Sequence, residues 1–204
     1  MKNKILILAM LGVFSANFIH SDEVEEVVVQ ASILNVTQDE IGDPLHILSG
    51  TDVSDLGTAS LGETLDSLLG VTTSDYGSAV GQPIIRGLSG SRVKILTNGL
   101  VNRDVAGIGA DHKNEVDLSD IQQIEVVRGP SSLLYANGAS GGIVNIVDNT
   151  IATSDIEKRL FKLGFETQSV NSGDGQSFSV ADNLGGLNLY FSYSDSSFGN
   201  YDIP

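Results

Sequence analysis

The sequence predicts an α+β domain followed by a run of long antiparallel strands, behind an N-terminal export signal. Three observations carry this. An apolar run, Ile5 to Phe14, follows Lys2 and Lys4 at the start of the chain. The middle of the chain mixes one capped helical segment with several short β-branched runs. After residue 158 apolar and polar residues alternate, and the aromatic residues concentrate there.

The first run has a positive start, an apolar centre and small residues at Ser15, Ala16 and Ser21. That is the pattern of a removed secretory signal over residues 1–21. A retained anchor is the alternative, but the run is too short to cross a bilayer as a helix. Export is compatible with a chain that has no Cys. The same absence rules out a disulfide framework and thiolate metal sites. Acidic residues outnumber basic ones by 26 to 11, which excludes the clustered Lys and Arg of a nucleic-acid partner.

Residues 36–150 carry the α+β pattern. Ser60-Leu61-Gly62-Glu63 is a capping box, and Leu61, Leu65, Leu68 and Leu69 are expected on one helical face that ends at Gly70. Pro83 to Arg86, Val93 to Leu96, Ile121 to Arg128 and Ile143 to Val147 read as short strands. Asn98-Gly99 is a hairpin turn, and Pro130 is placed to open a short helix through Tyr135.

Residues 151–204 alternate. Phe161, Leu163 and Phe165 share one face, as do Leu187, Leu189, Phe191 and Tyr193, while Asn188, Tyr190, Ser192 and Ser194 share the other. Turns at Asn171 to Gly175 and Leu184 to Gly186 give about three antiparallel strands, near the length a tilted membrane strand needs. Strands of a soluble sandwich would alternate in the same way. Three strands do not close a membrane barrel, which needs at least about eight. On the membrane reading the chain therefore carries only the beginning of one.

Two motifs have competing readings. Glu26, Val27, Val28, Val29, Gln30 and Ala31 form an extended β-branched segment soon after the signal, within residues 22–35. Such a segment adds readily to the edge of a partner's sheet, and it reads equally as the first strand of its own domain. Gly138-Ala139-Ser140-Gly141-Gly142 matches the G-x-S-x-G elbow of hydrolases. That elbow needs a helix after it and a later His. Here a strand-like run follows, and His20, His46 and His112 all precede Ser140, so a periplasmic hydrolase is the weakest reading. Arg86-Gly87 and Arg128-Gly129 stand out in an acidic chain, because Arg makes bidentate contacts with carboxylates. Surface salt bridges of little energetic value are the plainer account of both.

Together these residues resemble the TonB-dependent outer-membrane receptors. Ile124-Glu125-Val126-Val127-Arg128-Gly129-Pro130-Ser131-Ser132-Leu133-Leu134-Tyr135, continuing through Asn137-Gly138 to Gly141-Gly142-Ile143-Val144-Asn145-Ile146, is similar to the closing motif of that family's plug. Pro83 to Gly87 resembles an earlier plug motif, Val93 to Gly99 the strand and turn after it, and Leu61 to Val71 the plug helix, with Leu69 where Pro is common. Glu26 to Ala31 resembles the TonB box, with Gln30 where Thr is common.

The resemblance implies an α+β plug domain followed by the first antiparallel strands of a transmembrane β-barrel. It implies an outer-membrane receptor that imports a scarce metal or metal chelate, such as zinc, an iron siderophore or haem. The inner-membrane proton-motive force drives the import through TonB, which grips the box. No resident cofactor is implied, and the partners are TonB, outer-membrane lipid and the small metal ligand. Arg86, Gly87, Glu125, Arg128 and Gly129 match plug residues that meet the barrel. The segment Pro83 to Asp117 is similar to the zinc- and haem-uptake subgroup, where an Asp-His pair matches Asp111 and His112, with Asp104 nearby. Those two residues offer an oxygen and a nitrogen to a divalent ion, which needs about four ligands. Spacing alone also fits a solvated turn. A passive porin or adhesin barrel with an unusual N-terminal domain is the rival to the transporter.

Overall fold

The computed structural model describes residues 45–200. The signal, residues 22–35 and the box from Glu26 to Ala31 lie outside the described residues.

The first unit is built on a five-stranded sheet in the order β1-β6-β7-β4-β5. The strands are β1 (Leu45–Ser49), β4 (Val93–Thr97), β5 (Leu100–Val101), β6 (Ile121–Val127) and β7 (Gly142–Asp148). β6 and β7 pair antiparallel, whereas β4 joins β7 in parallel. The β-branched composition of β6 and β7 suits central strands covered on both faces. On one face Ile124, Val126, Val144 and Ile146 pack with Leu61, Leu65, Val71 and Ile85. On the other Val127, Ile143 and Leu96 pack with Ala136 and Ala139.

Helix α1 (Gly50–Leu56) follows β1 directly, capped by Ser49, and has no counterpart in the sequence reading. Helix α2 (Leu61–Leu65) has the expected capping box: Ser60 accepts from the Glu63 N–H, and Glu63 accepts from the Ser60 N–H. It is shorter than its leucine spacing suggests. The backbone leaves the helix at Asp66, so Leu61 and Leu65 are buried but Leu69 is exposed. The expected four-leucine face is corrected to Leu61, Leu65 and the partly buried Leu68.

Strands β2 (Val71–Asp75) and β3 (Gly81–Ile85) form a separate antiparallel pair packed on α2. Gly62 and Gly81 permit this close approach. A Cβ on Gly62 would lie 2.2 Å from Thr73 Oγ1 and 2.7 Å from the Gly81 backbone. Asn98 and Gly99, with φ of 50° and 79°, make the tight turn from β4 to β5, as expected of a two-residue hairpin. The short helix expected from Pro130 forms as a 3-10 helix over Pro130–Leu134, with Tyr135 as its C-cap.

The second unit is a three-stranded antiparallel sheet of β8 (Leu160–Gln168), β9 (Gly173–Leu184) and β10 (Leu187–Ser197), in the order β10-β9-β8. Its strands run 9, 12 and 11 residues, close to what a tilted membrane crossing needs. Among the described residues no helix is long and apolar enough to cross a membrane. Leu187, Leu189, Phe191 and Tyr193 are exposed on the face turned away from the first unit, as are Phe161, Leu163 and Phe165. The Phe178 ring joins these rows, 5.3 Å from Phe161 and 6.0 Å from Phe191 between centroids. The polar face, with Lys162, Tyr190 and Ser194, turns inward.

Candidate functional site

The inward face of the long strands meets segment 113–122, which leads into β6. Asp120 is the centre of that contact. Lys162 Nζ of β8 lies 2.6 Å from Asp120 Oδ1, and Tyr190 Oη of β10 donates to Asp120 Oδ2 at 2.6 Å. Asn149 Nδ2 donates to Asp120 Oδ1 at 2.8 Å. Desolvation pushes the Asp120 carboxyl up. Hydrogen bonds from Lys162 and Tyr190, the Lys162 charge and a bond from Ser179 of β9 outweigh it and hold the group below its usual value. One carboxylate thus reaches all three strands.

Three residues earlier, Ser194 Oγ donates to Asp117 Oδ2 at 2.7 Å, while Ser119 N and Oγ donate to Asp117 Oδ1. Burial raises the Asp117 carboxyl and nearby Asp120 adds to that, but the Ser119 and Ser194 bonds prevail and lower it. Further along, Lys113 Nζ sits 5.7 Å from the Phe198 ring centroid. Ser78 Oγ donates to the Gly199 carbonyl, and Gln168 Nε2 to the Gly57 carbonyl. The seam is polar throughout. None of its acidic residues was singled out from the sequence, because their partners lie 42 to 77 positions away.

The residues that the sequence did single out are placed differently. Arg128 turns back into its own unit. Its guanidinium donates to the Leu69 carbonyl and to His46 Nε2, tying β1 to the turn before β2. A guanidinium has no acceptor, so His46 must offer a neutral Nε2. Desolvation first and the Arg128 charge second both hold His46 below its usual value. Among the described residues both terminal nitrogens of Arg128 are thus engaged within the domain, and it meets no carboxylate of β8 to β10.

Glu125 also bonds within its own unit. It is wholly buried in the central sheet, accepting from Gln123 Nε2 at 2.6 Å and Asn145 Nδ2 at 2.9 Å. Asn145 Oδ1 in turn accepts from Gly99 N–H, so a polar chain crosses the sheet from β6 to the β4–β5 turn. Arg86 is exposed, at φ 52°; its N–H donates to the Gly70 carbonyl, and its side chain has no ion-pair or hydrogen-bond partner among the described residues. Gly87 and Gly129 take φ of 75° and 103°, backbone that favours glycine.

Asp111 and His112 are both exposed, with Asp111 Oδ1 3.8 Å from His112 Nε2. Among the described residues no third His, Cys, Asp or Glu joins them in a metal-holding group. Asp104 is engaged elsewhere: its carboxylate accepts from the Gly107 and Glu115 N–H groups. The loop is fixed by Gln82, whose Nε2 donates to the carbonyls of Ala106 and Gly109. Ser140 leads into β7, a strand, so the hydrolase elbow is not formed.

Residues 37–143 match the TonB-dependent Receptor Plug Domain family. This chain belongs to that family. The five-stranded unit is accordingly the plug, and β8 to β10 are the first antiparallel strands of the barrel. The vitamin B12 transporter BtuB of Vibrio vulnificus (strain CMCP6) is 25% identical over 162 residues, covering 76% of this chain and 26% of its own length. The copper transporter OprC superposes with a TM-score of 0.64 at 20% identity, covering 78% of this chain and 24% of its own. The siderophore receptor PirA of Pseudomonas aeruginosa does so with a TM-score of 0.56 at 22% identity, covering 78% and 29%. The chain spans about a quarter of the length of these relatives. They are transporters and receptors, and none is an enzyme.

Proposed function

We propose that the chain is the N-terminal part of an outer-membrane transporter that takes up a scarce metal or metal chelate, energised through TonB. The observation that carries this reading is the seam between plug and barrel. It is made of side-chain hydrogen bonds and one ion pair at Asp120 and Asp117, not of interlocked apolar side chains. Polar contacts at a wet interface exchange with water at small net cost, so a plug held this way is releasable. The apolar outer rows of β8 to β10 would face outer-membrane lipid. The relatives named above carry vitamin B12, copper and siderophores by their names, which supports a metal or metal-chelate cargo.

Within this reading Glu26 to Ala31 is the strand that TonB takes up by edge pairing. Replacing Val28 with Pro in the full-length receptor removes a backbone donor from that strand. Ligand binding should persist while energy-dependent uptake is lost. Unchanged uptake at normal expression sinks the assignment and favours a passive barrel. Arg86, whose side chain has no partner among the described residues, is the residue left to meet a carboxylate farther along the barrel.

Asp111 and His112 are proposed as plug ligands for zinc or a similar divalent ion, with the remaining ligands supplied by the barrel. Their exposure at the loop surface supports this. Calorimetric zinc titration of the full-length receptor, with and without Asp111→Ala/His112→Ala, tests it. Equal affinity removes the pair from the site. No zinc binding by either protein returns the cargo to the iron-chelate class.

A further inference from the structure

The plug holds a cavity of about 470 Å³ beside β5, at the sheet edge opposite β1. Gln82, Lys94, Arg103, Asp104, Asn114 and Asn137 supply its polar lining, and Pro83, Ile95 and Val101 are among its apolar walls. The volume is within the range of small-molecule sites.

Two cations are set against each other there. The β4–β5 register pairs Leu96 with Val101, and the Asn102 N–H donates to the Ile95 carbonyl at 2.8 Å. Lys94 precedes Ile95 and Arg103 follows Asn102, so the two cations flank this last bond at the cavity wall. Like charges across a strand pair are destabilising. No carboxylate among the described residues pairs with either, in a chain of formal net charge −15. Asp104 lines the same cavity, but its two oxygens accept from the Gly107 and Glu115 N–H groups. An anion between Lys94 and Arg103 would relieve their repulsion.

A second observation points to the same place. Asn114 is 7% exposed, and its Oδ1 is buried with no hydrogen-bond partner. A buried acceptor without a donor is costly. The Gln82 amide nitrogen on the same wall already donates to loop carbonyls. We propose that this cavity binds a small hydroxycarboxylate, its carboxylates held by Lys94 and Arg103 and its hydroxyl donating to Asn114 Oδ1. The site is separate from Asp111 and His112, and its occupancy does not depend on the transporter reading.

Citrate is the probe, and tricarballylate, which lacks only the hydroxyl, is its control. Both are titrated calorimetrically into the purified full-length receptor in detergent. Saturable citrate binding is expected, with tricarballylate weaker by about tenfold, as the loss of one buried hydrogen bond implies. Lys94→Gln/Arg103→Gln should weaken citrate at least about tenfold. Arg103→Lys, which keeps the charge, should retain most of the binding. In Asn114→Ala, checked for an unchanged thermal transition, the preference for citrate over tricarballylate should vanish. Absent citrate binding, or equal affinity in the double variant, overturns the proposal. Equal affinity for the two acids in the unmodified receptor removes the hydroxyl contact, and with it the hydroxycarboxylate assignment.

Discussion

Asp120 of the plug and Lys162 of the first barrel strand meet at 2.6 Å, and the same carboxylate takes the Tyr190 hydroxyl from β10. The Asp120 side chain is 11% exposed and that of Lys162 58%. The acid is therefore desolvated while its cation remains wet, so the neutral Tyr190 bond matters as much as the ion pair. Asp120 works as a bracket between β8 and β10, which lie on either side of β9 in the wall.

Replacing Asp120 with Ala in the full-length receptor removes the acceptor from Lys162, Tyr190 and Asn149. The local loss should be about 1–2 kcal/mol, discounted for the exposed lysine. Backbone amides of residues 113–122 should exchange hydrogen about 5- to 30-fold faster, with the rest of the barrel unchanged. Lys162→Met should have the smaller effect, since Tyr190 still donates. Equal effects of the two changes would put the energy in the ion pair instead.

The seam and the β1 clamp should respond to acid in different windows. Asp117 and Asp120 are held below the ordinary carboxyl value, so their contribution is present above about pH 4 and is lost as pH falls through the lower folded values. His46 is also held below its ordinary value, because its neutral Nε2 receives Arg128. Its contribution is present above about pH 6.5 and fades as pH falls toward the folded value. Protection of Leu45–Ser49 should thus weaken between neutral and mildly acid pH, while segment 113–122 holds until pH is below about 4. His46→Gln should flatten the first transition only. A single common transition would contradict this assignment.

What the sequence made legible follows physical reach. The alternation of Leu187 to Ser194 sorted wall residues into outer and inner faces correctly, because a strand's period is local. The Ser60–Glu63 box and the Asn98-Gly99 turn are also local, and both form. Leu69 failed because the α-helical ladder of α2 gives way to tighter i→i−3 bonds, from Asp66 N–H to the Glu63 carbonyl and from Leu68 N–H to the Leu65 carbonyl, before the last turn. Strand β1 went unread: it has five residues with a His inside, and long-range contacts hold it, pairing with β6 and the Arg128–His46 bond. Gln123 and Glu125 alternate with apolar neighbours as a solvated face would, yet that face is covered. The partners of Arg128 went unread because charge alone does not reveal whether a carbonyl and an imidazole await it. The seam acids were invisible for the same reason, since long-range pairing leaves no local signature.

Ser60→Ala should destabilise the plug by about 1 kcal/mol, the usual cost of an N-cap hydroxyl. Two N–H groups, those of Ala59 and Ser60, still reach Glu63 Oε2, so the loss should remain that small. The denaturant midpoint for the plug transition measures it. Glu63→Ala should cost at least as much, because it leaves both of those N–H groups without the carboxylate. No shift for either variant would mean that packing of Leu61 and Leu65 alone sets the helix start.

Glu125 gives the sharpest test of the polar chain across the central sheet. It is fully buried, and its two oxygens receive Gln123 Nε2 and Asn145 Nδ2. Glu125→Ala strips both donors of an acceptor and opens a cavity in the central sheet, which should cost about 3 kcal/mol or more. Glu125→Gln keeps the volume, but its amide has one acceptor oxygen in place of two, so about 1–2 kcal/mol should be lost. Asn145→Ala removes the partner and also the acceptor for Gly99 N–H. In a double-mutant cycle on the full-length receptor, Glu125→Ala and Asn145→Ala should couple by about 1–3 kcal/mol, as contacting residues of one network do. Coupling near zero would detach Asn145 from Glu125. Coupling found instead with a carboxylate-binding residue of the barrel wall would place Glu125 at the plug–barrel interface.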